Sequence, residues 1–439
     1  MAMKTILKKL LNVKYMKVNR VNFDGENSTL YIHVESTKGK KKLCPICGKK
    51  CRGYDSTTKS RTWRHLDFGS CKVILVADVH RIECKEHGVH TPWVPWAYHN
   101  SRFTKEFEQQ TAYLALHLNK TEVAKIMRIS WNTVGPIVTR MKNLFEPDSS
   151  VRFANLTKIG IDETSHRKGH KYLTVVLDHD TNQVVWVGPG TGKNVLEKFM
   201  KLLTKEQREN IELVSADGAK WIKKCVDDWL PNADFCIDGF HVVSWGIEAM
   251  DECRKIIWRE ESKKYKEAKA EQEPREKGRP KKGEEVVSKE KVKNMKSAKY
   301  ALGKNPGNLT KNQESCLEEI RSVYPKLFRA YQIKEGLRAV FRSTPERVEE
   351  ELKRWLSWAC RCRIEVFVKL SKKIRRHYNS IINTVNYNLS NARLESMNNK
   401  IKVIIRKAYG FRNMQNLIDT VMIVCSRLYY EIKLPHQTR

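Results

Sequence analysis

The sequence predicts a multidomain α/β protein. A mixed sheet, interrupted by a helical insertion, follows a small cysteine-bearing β unit and a helix-turn-helix. Three observations predict this. Strand-like period-two segments give way to helical periodicity and then to alternating strand and helix patterns. CPICG and ECKEHG put cysteine and histidine at knuckle spacing near the front. A long charge-dense stretch separates the last strand pattern from a C-terminal helix pattern.

The chain has 439 residues, enough for two or more units that each bury a core. It carries 83 Lys and Arg against 50 Asp and Glu, a formal net charge of +33. So large an excess repels itself and attracts polyanions, which makes nucleic acid the expected partner. No stretch approaches the roughly 18 apolar residues of a membrane span, and the opening apolar run is too short for a signal peptide. The expectation is therefore a cytoplasmic protein with no membrane partner. In that reducing compartment, clustered cysteines among the twelve present point to metal rather than to bridges.

Taken in order, residues 13–35 alternate apolar and polar side chains around Asp24-Gly25, which predicts a β-hairpin. Cys44 and Cys47 occupy one knuckle, and Cys84 and His87 a second, with strand-like runs between them that would bridge the two. These four side chains predict a tetrahedral structural Zn²⁺ site, and Cys51, His80 and His90 are rival fourth ligands. This zinc-ribbon domain is expected over residues 1–100.

Residues 101–150 carry apolar side chains at helical spacing, among them Phe103, Phe107, Leu114, Val123 and Met127. Thr121 is expected to open a second helix and Ser130 to cap a third after a short turn, the layout of a helix-turn-helix. Trp131, Asn132 and Thr133 would then face bases in a major groove. Pro136 is expected to kink or shorten that helix.

From residue 151 to 243 the texture is alternating. LTKIGIDET reads as a strand ending in Asp162, and KYLTVVLDHDTNQVVWVG as two antiparallel strands. Helix NVLEKFMKLLT, strand IELVSAD, helix GAKWIKKCVDDWL and strand ADFCIDGFHVV complete the order βββαβαβ. That order predicts a mixed sheet whose first and fourth strands are neighbours, as in ribonuclease-H-like folds. Asp162 and Asp217 would then converge at one sheet edge, an oxygen cradle suited to Mg²⁺ or Mn²⁺. Paired ions in such a cradle can serve phosphodiester chemistry. Glu163 should face the other side of the sheet, and Asp178 and Asp180 read as turn residues. Asp238 and His241 are expected beside the same edge in a supporting role.

Residues 244–385 predict a helical insertion with a basic arm, broken by Pro274, Gly278 and Pro280, in which KGRPKK reads as a solvated charge run. The tryptophans of this region are expected in its core. The last part, 386–439, contains NARLESMNNKIKVIIRKAYGFRN, where Glu395 is the one carboxylate among six Lys and Arg. Written as a helix, Leu394, Met397, Ile401, Ile404 and Ala408 form an apolar stripe. Glu395, Asn398, Asn399, Lys402 and Arg406 gather on an adjoining polar face. No basic residue stands three or four positions from Glu395, so a local ion pair does not explain it.

Three blocks resemble those of bacterial insertion-sequence transposases of the ISL3 group: IDETSHRKGHKYLTVVLD, SADGAKWIKKCVDDWLPNADFCIDGFHVV and NARLESMNNKIKVIIRKAYGFRN. The resemblance spans nearly the whole chain. It implies a ribonuclease-H-like catalytic domain with a DDE triad, whose acids fall on Asp162, Asp217 and Glu395. It further implies binding of terminal inverted repeats and target DNA, metal-dependent strand cleavage and transfer, and a homodimer or larger assembly on paired ends. The expected site of action is the bacterial nucleoid, with Lys402, Arg406 and Arg412 holding DNA. Cys-x-x-His in place of a second cysteine pair, and Pro136, depart from the pattern. The alternative is a catalytically silent DNA-binding regulator derived from such an enzyme.

Overall fold

The computed structural model describes residues 3–11, 13–55, 59–271, 290–389, 392–432 and 434. The chain forms two compact units, Met1–Ser149 with Lys400–Arg439, and Ser150–Asn399.

In the first unit, α1 (Met3–Leu11) lays Leu7 and Leu11 against a core that includes Ile32, Val34, Val73 and Leu75. The expected hairpin forms from β1 (Met16–Asp24) and β2 (Thr29–Ser36). Its turn is closed by the Asp24 carboxylate, which accepts from the backbone and side-chain amides of Asn27 at 3.2 and 2.9 Å. Then come β3 (Arg52–Gly53), β4 (Lys59–Phe68), β5 (Cys71–Val79), β6 (Ile82–Cys84) and β7 (Gly88–His90). The strands β4 and β5 do not bridge the two knuckles, as their sequence suggests. They join the first hairpin in a sheet of order β1-β2-β5-β4, with β2 and β5 parallel. The reason is apolar area: Val73, Leu75 and Ala77 alternate on one face of β5 and are buried with Ile32 and Val34 of β2. The knuckles stand apart on the three-stranded sheet β3-β6-β7.

Three helices follow, α2 (Lys105–His117), α3 (Lys120–Met127) and α4 (Trp131–Phe145). Ser130 caps α4 as expected, accepting from the Asn132 amide at 3.3 Å. The second helix, however, starts one residue before Thr121. Asn119 is its cap, accepting from the amides of Thr121 and Glu122 at 3.0 and 3.1 Å. Pro136 does not shorten α4, which continues to Phe145. Its missing N–H frees only the carbonyl of Asn132, and both residues are exposed, where water can serve that oxygen.

The second unit contains β8 (Lys158–Arg167), β9 (Lys171–Asp178), β10 (Gln183–Pro189), α5 (Lys193–Met200), α6 (Lys205–Glu209), β11 (Leu213–Ala216), α7 (Lys220–Trp229) and β12 (Asp234–Ile237). The five strands make one mixed sheet of order β10-β9-β8-β11-β12, with β8 antiparallel to β9 and parallel to β11. The first and fourth strands are therefore neighbours, as the element order predicts. Two boundaries differ. Asp162 lies in the middle of β8, because pairing with β9 continues past it to Arg167. The stretch after Ile237 leaves the sheet, so that His241, Val242 and Val243 belong to the first turns of a helix.

That helix, α8 (Gly239–Ala270), opens the insertion, followed by α9 (Glu290–Gly303), α10 (Lys311–Val323), α11 (Pro325–Val340), α12 (Pro345–Arg361), α13 (Glu365–Arg376) and α14 (Tyr378–Asn386). Pro274, Gly278, Pro280 and KGRPKK lie outside the described residues. Trp355 is buried and donates its indole N–H to the Ile333 carbonyl at 2.8 Å, and Trp245 and Trp258 pack on the same core. Trp358 is exposed instead. Along the sheet edge, α14 shields β12: Thr384 donates to the Ile237 carbonyl at 2.7 Å and Tyr387 to the Asp234 carboxylate at 2.6 Å.

The chain ends in α15 (Ala392–Lys407) and α16 (Met414–Val424). Leu394, Met397, Ile401 and Ile404 are buried, so the predicted apolar stripe is real. Asn398 departs from the predicted polar face, because it too is buried.

Candidate active site

The acid edge is set by strand register. Leu213, Val214 and Ser215 of β11 pair with Lys158, Ile159 and Gly160 of β8. The same offset continued sets Asp217 level with Asp162. On the other side of β11, Ala216 pairs with Ile237, which brings Asp238 beside Asp217. Parallel strands thus carry three carboxylates to one edge.

Each carboxylate has its own local anchor. Asp162 accepts from the Glu163 amide at 2.7 Å and from the side-chain amide of Asn398 at 2.6 Å. Burial pushes its carboxyl above the usual range, against the pull of the Glu163 amide and of His241. Asp217 accepts from the Ala219 amide at 3.0 Å and so closes the turn into α7. Asp238 caps α8, accepting from the Phe240 amide at 2.9 Å, and pairs with the His241 imidazole at 3.0 Å. Asp238 raises the His241 pKa, and Asp217 and Asp162 add to the rise. All three carboxylates of this edge therefore favour the protonated form of one imidazole.

Helix α15 is fixed beside the same edge by three features absent from the expectation. Leu394 approaches β8 so closely that a Cβ on Gly160 would meet its Cδ1 at 2.8 Å, and the His179 Nε2 at 2.9 Å. Arg393 donates to the His179 carbonyl. Asn398 holds Asp162, as above. A possible signal for Asn398 was its position beside Met397, at the margin of the apolar stripe. Glu395 lies one turn before Asn398 and is exposed. Among the described residues, no hydrogen bond or ion pair joins it to Asp162 or Asp217. The structure therefore brings Asp162, Asp217, Asp238 and His241 together and holds the Glu395 helix beside them. It does not join the glutamate itself to the aspartates. Glu163 takes a hydrogen bond from Thr191.

The knuckle cluster is tighter. One donor atom each from Cys44, Cys47, Cys84 and His87 lies within 4.8 Å of the others. Cys47 and Cys84 sulfurs are 3.8 Å apart, and the His87 Nδ1 lies 3.6 Å from Cys84 and 3.9 Å from Cys44. A tetrahedron with Zn–S of ~2.3 Å and Zn–N of ~2.0 Å has edges of about 3.8 Å between sulfurs and about 3.5 Å between sulfur and nitrogen. The donor set and its spacing fit that ion. The His87 side chain and the Glu86 amide hold the Cys84 thiol down at about 6, toward the thiolate a metal requires. The rivals have other partners: Cys51 donates to the Lys49 carbonyl, His80 contacts the Asp55 carbonyl, and His90 contacts the His87 carbonyl.

On the helix-turn-helix, Trp131, Asn132 and Thr133 form the first turn of α4, with Trp131 and Asn132 exposed. Lys120 and Arg412 lie over the Trp131 ring, at 4.5 and 5.7 Å from its centroid. Lys402 and Arg406 are exposed on α15.

Comparison with known proteins agrees with this layout. A family model described as "Transposase" matches residues 159–421. A second, "Helix-turn-helix domain of transposase family ISL3", matches 94–140, and a third, "zinc-finger of transposase IS204/IS1001/IS1096/IS1165", matches 40–87. Transposases for insertion sequence element IS1557 from two strains of Mycobacterium tuberculosis are 41% identical to the chain over 401 residues, 91% of this chain and 89% of theirs. The transposase for insertion sequence element IS1001 of Bordetella parapertussis is 26% identical over 404 residues, 91% of this chain and 92% of its own. The chain belongs to the ISL3 family of insertion-sequence transposases, with a zinc-ribbon domain and a DNA-binding helix-turn-helix ahead of the transposase domain. Among the described residues, no helix is long and apolar enough to cross a membrane.

Proposed function

We propose that the protein cleaves and joins DNA strands at the ends of its insertion sequence, using Asp162, Asp217 and Glu395 as a metal-binding triad on a ribonuclease-H-like sheet. The observation that carries this reading is the β8–β11 register, which sets two aspartates level at one edge, with the α15 helix tied to the first of them through Asn398. Hard carboxylate oxygens of this kind fit Mg²⁺ or Mn²⁺. Bound ions would supply activation of an attacking hydroxyl and charge stabilisation at the leaving oxygen. Asp162, Asp217 and Glu395 would hold the ions between them. Asn398 keeps the Asp162 carboxylate turned toward α15, and the Asp238–His241 pair braces the edge. Water would attack a phosphodiester at the element end and displace its 3′-oxygen, and the freed 3′-hydroxyl would then attack a target phosphodiester and displace the 3′-oxygen there.

The five segments divide the labour. Residues 1–100 and 101–150 recognise terminal inverted repeats, and 151–243 and 386–439 carry the acids. The basic insertion, 244–385, holds flanking DNA. Two ends are cut together, so a homodimer or larger assembly on paired ends, at the nucleoid, is part of the proposal. The test is Glu395→Gln with labelled DNA carrying the element's own ends: binding persists, and nicking in Mg²⁺ is abolished. Retained nicking removes the glutamate from the site. A wild-type protein that binds ends without ever nicking them is the silent regulator instead.

A further inference from the structure

We propose that the C-terminal segment from Arg412 to Asn416 completes the DNA-reading head of the helix-turn-helix, so that the duplex is gripped by a composite cleft between α4 and the start of α16. This rests on the protein's binding its element ends, but not on the assignment of the catalytic acids.

The cleft measures about 660 Å³ and lies within the first unit. Its cationic side chains are Lys120, Arg140 and Arg412, and no carboxylate lines it. Arg140 is occupied, paired with Glu108 at 3.2 Å and donating to the His99 carbonyl. Lys120 and Arg412 are not. Both converge on the Trp131 ring, and among the described residues neither pairs with an acid. Two cations directed at one indole repel each other, and a polyanion laid across them removes that repulsion. The nearest acid of α16, Asp419, is buried and accepts from Thr139 at 2.6 Å and from Gln415 at 2.9 Å, so its charge is turned inward.

The segment is built into this domain rather than trailing from it. Ile423 of α16 packs with Ile137, Val138 and Met141 of α4. A Cβ on Gly135 would lie 2.5 Å from the Asn416 amide nitrogen, so α4 is shaped for this neighbour. Asn132 and Asn413 stand exposed at the mouth of the cleft, on α4 and at the cap of α16. Asparagine amides match adenine edges, whereas Lys120 and Arg412 match phosphates. A reading head fed by residues some 280 positions apart thus has both a charge grip and amides for base contact.

The test uses the full chain without divalent metal and measures affinity across a salt series. The probes are a duplex cut from either flank of the gene and an unrelated duplex of equal length. Arg412→Ala weakens both by roughly tenfold and makes the log–log salt slope shallower by about one, whereas Arg412→Lys restores most of that slope. Asn413→Ser keeps the helix cap and weakens the flank duplex alone by roughly tenfold. Unchanged affinity and slope in Arg412→Ala, beside wild-type preference for the flanks, overturn the proposal. If the alanine variant melts early, Arg412→Gln keeps the bulk over Trp131, and a retained slope there overturns it equally. A wild-type protein without flank preference overturns the end-binding reading instead.

Discussion

Cys44, Cys47, Cys84 and His87 come from two short knuckles and lie within 4.8 Å of one another, whereas Asp162, Asp217 and Glu395 come from two strands and a helix separated by an insertion. The knuckle quartet has little else to hold it. Its sheet β3-β6-β7 is made of strands of two or three residues, and its satellite core consists of Cys44, Ile82 and Cys84 with Cys47 and Cys51. The acid edge sits on a five-stranded sheet with a continuous core and is braced by Asn398, Arg393 and His241. The difference teaches which of the two sites would depend on a bound ion for its structure. A cluster too small to bury a core needs the metal to fold, and an edge pinned by protein contacts does not.

The largest effect that tests this contrast is zinc removal. Structural zinc binds small domains with an apparent free energy on the order of 10 kcal/mol. A strong chelator, or Cys84→Ser, is expected to abolish amide protection in residues 43–53 and 82–90 while β8 to β12 keep theirs, read by hydrogen exchange. Protection that survives at the knuckles, or is lost equally at the sheet, breaks the contrast. A smaller effect sharpens the other side of it. Asn398→Ala leaves the half-buried Asp162 carboxylate without its side-chain donor and should destabilise the second unit by about 1–3 kcal/mol. Nicking is expected to fall roughly 10–100-fold with end binding unchanged, as for residues that orient metal ligands. Equal nicking by this variant means that Asn398 only packs. The smallest effect is purely local. Asn119→Ala removes the cap of α3 and costs about 1 kcal/mol, seen in the urea midpoint of the first unit alone.

Much of this was legible beforehand where a local rule governs. The Asp24 turn, the Ser130 cap, the stripe Leu394–Met397–Ile401–Ile404 and the spacing of the two knuckles all depend on residues within a few positions of one another. The errors share a cause. β8 ran past Asp162 because β9 was there to pair with it. β4 and β5 left the knuckles because β2 offered a larger apolar partner, and Asn398 looked polar and solvent-facing until Asp162 became its partner. Each was decided by a neighbour distant in sequence.

The sequence by itself determined the order of elements, the two Cys/His knuckles and the chemical types at the acid edge, because periodicity, knuckle spacing and residue chemistry are properties of short segments. Only the tertiary structure decided that Asp162, Asp217 and Asp238 stand level, that Leu394 seats on Gly160, and that Arg412 comes to lie over Trp131. Strand register and helix docking are settled by long-range packing, where one residue of slip turns every side chain to the opposite face.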